Sequence, residues 1–324
     1  MDYLIRNPRL VADFLNRKFV AYFRLRLDTD LLLQPGFFTW HRRPKSLGAW
    51  PIPPQPQQRL SNIGIVIQGP IVTRNEFTLE TVRLYRHLYP EVPIVLSTWK
   101  ISTQSLLKEF LSAGAFVIQN EKVDHPYYGN LNLQQKTSRE GLSHLSKLGL
   151  QFALKTRSDQ RLYSESFLQQ LIFLTEVQPR NHGVCASGTS RIFVTYQNSF
   201  IDRALSVSDF IQFGQTKELL QLWESIDSRS LPKALAPEQV LLGSYLLSLG
   251  WDEASLLSPA TYERAMGEIL GFVESSSLDL LWYKYSSREY LRRRYGRIFG
   301  PEPLRELSAA DWYSALLVAS KKEM

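Results

Sequence analysis

Ile63-Gly64-Ile65-Val66-Ile67-Gln68-Gly69-Pro70-Ile71 and, about ninety residues later, Phe152-Ala153-Leu154-Lys155-Thr156-Arg157-Ser158-Asp159 are the stretches that decide the fold. Each is a run of β-favouring apolar residues that delivers polar groups at its C-terminal end. In an open α/β sheet that end is where ligands bind. Between the two runs the hydrophobic period switches back and forth. The pattern predicts a strand over 63–68, a helix over 76–89, a strand over 93–98, a helix over 103–113 and a strand over 115–119. A polar loop at 120–130, a helix over 131–147 and a strand over 151–156 complete the series. Pro90 and Gly114 punctuate helix ends. Such a βαβαβαβ series implies a Rossmann-type, mostly parallel sheet with right-handed crossovers, flanked by helices.

Working outward, the pattern predicts a helix over 164–175, strands near 183–187 and 191–196, a short segment at 200–205, and helices over 216–225 and 237–249. The tail from 260 reads as mostly helical, with a basic run at Arg288, Arg292, Arg293, Arg294 and Arg297 and an apolar helix over 309–319. Residues 1–33 interleave Phe14, Phe19, Tyr22 and Phe23 with Arg9, Arg17, Lys18 and Arg24 on helical spacing. That helix either docks on the core or lies on an anionic membrane surface. Pro44, Pro51, Pro53, Pro54 and Pro56 mark an extended linker. The organisation expected is therefore a basic aromatic helix plus linker (1–59), a catalytic domain (60–258, divided into a nucleotide-binding half 60–160 and an acceptor half 161–258) and a helical, basic C-terminal extension (259–324).

The chain has 324 residues and 44% apolar residues, enough for a sizeable core, which excludes wholesale disorder. With Cys185 as the sole cysteine, no internal disulfide exists. No apolar run approaches the roughly 20 residues of a membrane span, and the first residues lack the pattern of a signal peptide. The expected location is cytoplasmic, on the inner membrane where the basic ends hold it there. The net charge of +7 suits a phosphorylated substrate, an anionic membrane or nucleic acid. The basic residues cluster near the two ends and leave the central part without the basic–aromatic surface that nucleic acid needs.

Three segments can carry chemistry. Gln68-Gly69-Pro70 forms the exit of the first strand, where Gly69 permits a close approach of backbone to ligand; an ordinary strand-to-helix turn has the same composition. Asn130 or Asn132 either caps the helix that follows, or Asn132, Gln135 and Ser138 face a nucleotide-sugar from its N-terminus. Lys155, Arg157 and Asp159 alternate along one strand end, and two adjacent cations there need an anion or Asp159 to answer them. Asp209, in the apolar loop Val207–Gly214, and Glu238, in the first turn after Ala236-Pro237, are two candidate general bases. A desolvated aspartate would have a raised pKa. The five histidines show no metal-ligand spacing.

At these residues the chain resembles the WavE family of lipopolysaccharide synthesis proteins. The carrying segments are Val66–Ile71, Phe77–Thr81, Val95–Trp99, Asn130–Gln135, Lys155–Asp159, Ser208-Asp209 with Phe213-Gly214, and Pro237–Gln239. The resemblance implies a GT-A-like glycosyltransferase that takes a nucleotide-sugar donor and a glycan or lipid-linked glycan acceptor. It places Gln68, Gly69, Pro70, Asn132, Gln135, Lys155, Arg157 and Asp159 around the donor, with Asp209 or Glu238 as base. In that class an Asp-x-Asp pair holds Mg²⁺ or Mn²⁺ on the diphosphate. The matching place in this chain reads Arg157-Ser158-Asp159, with one carboxylate for the metal, and Lys155 and Arg157 offer to neutralise the leaving diphosphate instead. The alternatives are a sugar nucleotidyltransferase, against which residues 64–74 supply, beyond the strand itself, only Gly69 and Arg74 to grip a triphosphate, and a non-enzymatic membrane or nucleic-acid binding protein.

Overall fold

The structure is a computed structural model that describes residues 60–101, 103–123, 130–177, 190–226, 235–283 and 304–321. The expectations for 1–59, for the loop at 124–129, for a strand near 183–187 and for the basic run at 288–297 lie outside these residues.

The elements run β1 (Ile63–Gln68), α1 (Phe77–Leu88), β2 (Ile94–Trp99), α2 (Gln104–Ser112), β3 (Ala115–Asn120), α3 (Leu131–Lys147) and β4 (Phe152–Arg157). They continue with β5 (Gln160–Leu162), α4 (Phe167–Val177), β6 (Ile192–Thr195), β7 (Gln212–Gln215), α5 (Thr216–Glu224), α6 (Pro237–Ser248), α7 (Pro259–Glu268), β8 (Leu270–Val273), β9 (Leu280–Trp282) and α8 (Ala309–Lys321). Seven strands form one sheet in the order β3-β2-β1-β4-β7-β6-β8, and β5 and β9 form a separate two-stranded ribbon. All pairings in the large sheet are parallel except those of β7, which runs antiparallel to both β4 and β6. The expected α/β class, a mostly parallel sheet flanked by helices, is the one observed.

The central strands are continuous apolar runs because both faces are covered. All six residues of β1 are buried. On α3 the small residue Gly141 lets the helix sit directly on the sheet, since a Cβ there would collide with Val66, and Leu142 and Leu145 fill the space beside it. On α1, Leu79, Val82 and Tyr85 recur at helical spacing and are buried. At the far end of the sheet from the strand C-termini, the Arg86 guanidinium donates to the carbonyls of Pro90, Val92 and Gly114 and so closes the turns leading into β2 and β3.

Two parts differ from the sequence expectation. Residues 212–215, read as loop, are the antiparallel strand β7. The tail, read as mostly helical, contributes β8 to the edge of the large sheet, paired with β6 in register Ile192↔Leu270 to Thr195↔Val273, and β9 to the ribbon with β5. The sheet thus continues past residue 258, where the sequence pattern places the edge of the catalytic domain. Helix α8 then packs on α7, where Gly267 has no room for a Cβ beneath the Ala315 carbonyl and the Trp312 indole donates to the Met266 carbonyl at 3.1 Å. Among the described residues no helix is long and apolar enough to cross a membrane.

Candidate active site

The strand order reverses between β1 and β4: from β1 the chain builds outward to β2 and β3, and then returns to the other side of β1. In open α/β sheets such a switch point opens a crevice at the strand C-termini, because the connections leave in opposite directions. Ser158 joins its two walls. Its N–H donates to the Gln68 carbonyl at 2.9 Å, its hydroxyl donates to the Pro70 carbonyl at 2.6 Å, and its carbonyl accepts from the Thr78 hydroxyl at 2.9 Å. Gly69 stands at φ 116° with Ser158 Oγ 3.0 Å from where a Cβ would lie, so only glycine fits. Gln68 is buried, and its side-chain oxygen accepts from the Thr137 hydroxyl at 2.8 Å, which ties the end of β1 to α3. Pro70, next in this turn, is exposed.

The charged residues meet beside it. Arg157 Nε and Nη2 donate to the two oxygens of Asp159 at 2.9 and 3.2 Å, while Nη1 donates to Asp209 Oδ2 at 3.1 Å. Asp209 arrives because β7 is antiparallel to β4, with Lys155 opposite Gln212: residues just before β7 therefore lie beside the C-terminal end of β4. The segment that carries Asp209 is held from within. The Ser208 hydroxyl oxygen accepts from Thr195 Oγ1 at 2.9 Å, and the Ser208 N–H donates to Ser199 Oγ at 2.9 Å. The Arg157, Asp159 and Asp209 side chains are 18%, 16% and 10% exposed, so the cluster is mostly buried yet not sealed from solvent.

Lys155 has no such opening: it is fully buried, its Nζ donates to the Asp209 carbonyl at 2.7 Å, and it lies 4.9 Å from the centre of the Trp223 ring. Burial pushes its pKa down to about 8, against the opposing pull of Asp209. The expectation that Lys155 meets the diphosphate directly is corrected by this burial; it supports the Asp209 backbone instead. For Asp159, burial favours the neutral acid, but the Arg157 charge and the hydrogen bonds from Arg157 and Trp282 outweigh it and hold the carboxyl below its ordinary range. Arg157 is likewise raised, because Asp209 and Asp159 outweigh the cost of its burial.

Trp282 is the residue sequence reasoning missed. The β5–β9 ribbon pairs Gln160 with Trp282, and the Trp282 indole N–H donates to Asp159 Oδ2 at 3.0 Å. Its ring lies 5.7 Å from Arg157 Cζ and 4.5 Å from the Phe210 ring. The Tyr283 N–H then donates to the Asp159 carbonyl at 2.8 Å. Nothing local in Leu280-Leu281-Trp282 signals this; only the ribbon pairing brings it to the site.

The remaining expected residues are placed as follows. Asn130 occupies the N-cap position of α3 in left-handed backbone, without a side-chain cap hydrogen bond, and Asn132 is half-buried in the first turn. The Gln135 amide donates to the carbonyls of Trp223 and Ile226, so it ties α3 to α5 and the segment after it. Ser138 is buried against the sheet. Glu238 is half-buried in the first turn of α6. Its neighbour Gln239 donates to the Ala204 carbonyl at 2.7 Å, which fastens that turn to the segment leading to Asp209.

A divalent ion on Asp159 does not fit this donor set. Both of its oxygens already accept hydrogen bonds, three in all, from Arg157 and Trp282. An ion within bonding distance of them, about 2.0–2.6 Å, would be pressed against a guanidinium. Among the described residues no group of three or more His, Cys, Asp or Glu side chains is placed to hold a metal.

The family model for WavE lipopolysaccharide synthesis matches residues 63–240. No curated protein matches the chain. Among solved structures, a cytidylyltransferase from Leptospira borgpetersenii serovar Hardjo-bovis is similar at 13% identity over 81% of this chain and 95% of that one, with a TM-score of 0.38. TarS from S. aureus is similar at 16% identity over 57% of this chain and 33% of that one, with a TM-score of 0.36. TarS 1–349 in complex with UDP is similar at 17% identity over 56% of this chain and 55% of that one, with a TM-score of 0.33.

Proposed function

The chain belongs to the WavE lipopolysaccharide synthesis family, and from that premise we propose that it is a GT-A-like glycosyltransferase. It moves a sugar from a nucleotide-sugar donor to a bacterial surface glycan or glycolipid of the lipopolysaccharide, capsule or O-antigen type. The observation that carries this reading is the convergence, at the C-terminal ends of β1 and β4, of the Gly69-Pro70 turn tied to Ser158 and the Arg157–Asp159–Asp209 cluster.

In this reading the nucleoside lies along the Gly69-Pro70 turn, near Asn132 at the start of α3, and the diphosphate lies toward Arg157. The acceptor hydroxyl attacks the anomeric carbon, the bond from that carbon to the diphosphate oxygen breaks, and the nucleoside diphosphate leaves with the electron pair. Where transfer inverts the anomeric centre, a carboxylate takes the hydroxyl proton. Asp209 is favoured over Glu238 because it belongs to the charged cluster. The basic residues near both chain ends support action at the cytoplasmic leaflet, where lipid-linked acceptors are assembled.

The test is product analysis with a panel of sugar nucleotides and lipid-linked acceptors. Release of nucleoside diphosphate together with a glycosylated acceptor is the expected result. Release of pyrophosphate from a nucleoside triphosphate and a sugar phosphate would replace this reading with a sugar nucleotidyltransferase.

A further inference from the structure

We infer that the Arg157 guanidinium takes the place of a divalent cation at the donor diphosphate, so that this enzyme binds and cleaves its donor without metal. The inference rests on the transferase reading and names the cation of that same site.

Three observations converge on Arg157. The first is the donor set: Asp159 is spent on Arg157 and Trp282, and the second carboxylate of the cluster, Asp209, also holds Arg157, so an ion bridging the two would be pressed against the guanidinium. The second is geometry. A guanidinium has five N–H donors. Three of them point to Asp159 and Asp209; the other two meet no acceptor among the described residues. An arginine fixed at one edge by a bidentate carboxylate presents its remaining N–H groups in a set direction, and phosphate oxygens match that planar fork. The third is orientation without mobility. The Trp282 ring lies against the guanidinium, and the Trp282 N–H holds the carboxylate that holds it. Asp159 and Trp282 are thus positioning residues for Arg157. Fixed charge of this kind stabilises a transition state without reorganisation, whereas a flexible lysine would first have to be ordered. Lys155, fully buried beneath Asp209, does not compete for the ligand.

The step balances without a metal. The anomeric C–O bond to the diphosphate breaks, and the electron pair stays on the terminal phosphate oxygen, which gains one negative charge. The acceptor oxygen forms the new bond to the anomeric carbon, and its proton passes to the carboxylate base. Arg157 meets the charge that develops on the diphosphate.

The experiment uses the full chain. Thermal shift and calorimetry with UDP, CDP and GDP, and with the corresponding nucleosides, are run in EDTA and again with Mn²⁺; Mn²⁺ binding alone is followed by electron paramagnetic resonance. The expected result is that one nucleoside diphosphate binds equally well in EDTA and in Mn²⁺, and that Mn²⁺ stays in solution. Arg157→Lys weakens that diphosphate by about tenfold or more and leaves the matching nucleoside unchanged, a difference that a merely structural residue would not produce. Nucleotide binding that vanishes in EDTA and returns with Mn²⁺ overturns the inference and leaves the transferase reading standing. Absence of binding by any nucleoside diphosphate in either condition overturns both. If Arg157→Lys fails to fold, the wild-type comparison in EDTA and Mn²⁺ still decides.

Discussion

Arg157 and Asp209 meet at 3.1 Å although 52 residues separate them. The contact is a consequence of strand direction. Only because β7 runs against β4 does the chain enter it beside the ligand end of β4, bringing Asp209 to a guanidinium that Asp159, two residues away, already holds. A parallel strand in that place would have started at the opposite end of the sheet. β7, which runs against its neighbours in the large sheet, is therefore the element that assembles the charged cluster.

Asp209→Asn keeps the shape of the side chain and removes its charge. Arg157 retains Asp159, so the fold should survive, with stability reduced by about 1.5–3 kcal/mol for a lost charge-assisted hydrogen bond. If Asp209 is the base, kcat falls by roughly 10²–10⁴, while Glu238→Gln has a small effect. Nucleoside diphosphate release by the two variants, alongside their melting curves, checks this. Equal and mild losses in both would remove both from the role of base.

Trp282→Phe retains the ring and deletes one hydrogen bond to Asp159. The pair is partly open to solvent, so the cost at neutral pH is modest, about 1 kcal/mol. The acid limb is more telling. A carboxyl held below its ordinary pKa contributes stability above the unfolded value and loses it as pH falls through the folded value. Loss of the indole donor moves the folded value of Asp159 back up. Acid unfolding of the variant should then begin at higher pH than in the wild type. Superimposable acid limbs would show that Trp282 does not act on Asp159.

How much of this is legible beforehand depends on the range of the interactions involved. The strand predicted over 63–68 and the helix predicted over 131–147 coincide with β1 and α3, because their signals are local: an unbroken apolar run for a strand covered on both faces, and a helical period ended by Gly149. Gln212-Phe213-Gly214-Gln215 carries no such signal. Two glutamines and a glycine read as loop, yet Gln212 is buried, its side-chain oxygen accepting from the Trp223 indole at 2.7 Å, and the strand it opens pairs with β6 on one side and with the distant β4 on the other. Leu270–Val273 and Leu280–Trp282 fail for the same reason: short apolar runs become strands only when a distant edge accepts them. The site divides along the same line. Gln68–Pro70 and Lys155–Asp159 stand at strand ends and are visible; the partnership with Asp209 and the whole contribution of Trp282 are properties of pairing.

A chain ending at residue 258 tests that lesson directly. The truncation removes β8, leaving the β6 edge without its parallel partner, and removes β9, which carries Trp282. An exposed apolar edge containing Ile192, Phe193 and Val194 is a template for aggregation. The truncated chain should be insoluble or molten, with weak near-ultraviolet circular dichroism. A soluble, cooperatively melting fragment would restore the boundary that the sequence pattern suggests.

Lys155→Met exposes the cost of the buried charge through its pH dependence. The folded pKa of Lys155 is pushed down from 10.5 to about 8 by burial. Below about 8 the lysine is charged in both the folded and the unfolded chain, and the full desolvation penalty is present. Between about 8 and 10.5 the unfolded chain binds more protons than the folded one, so the wild type gains stability as pH rises; above 10.5 the gain is complete. Methionine cannot titrate, and it fills a similar volume. At roughly 1.4 kcal/mol per pH unit, the wild type should gain up to about 3 kcal/mol on the variant across that window. Urea unfolding of both proteins through the alkaline range reads this difference, and other alkaline titrations cancel in it. A flat difference would mean that Lys155 stays charged in the folded state through the alkaline range, the nearby Asp209 and Asp159 charges offsetting its burial.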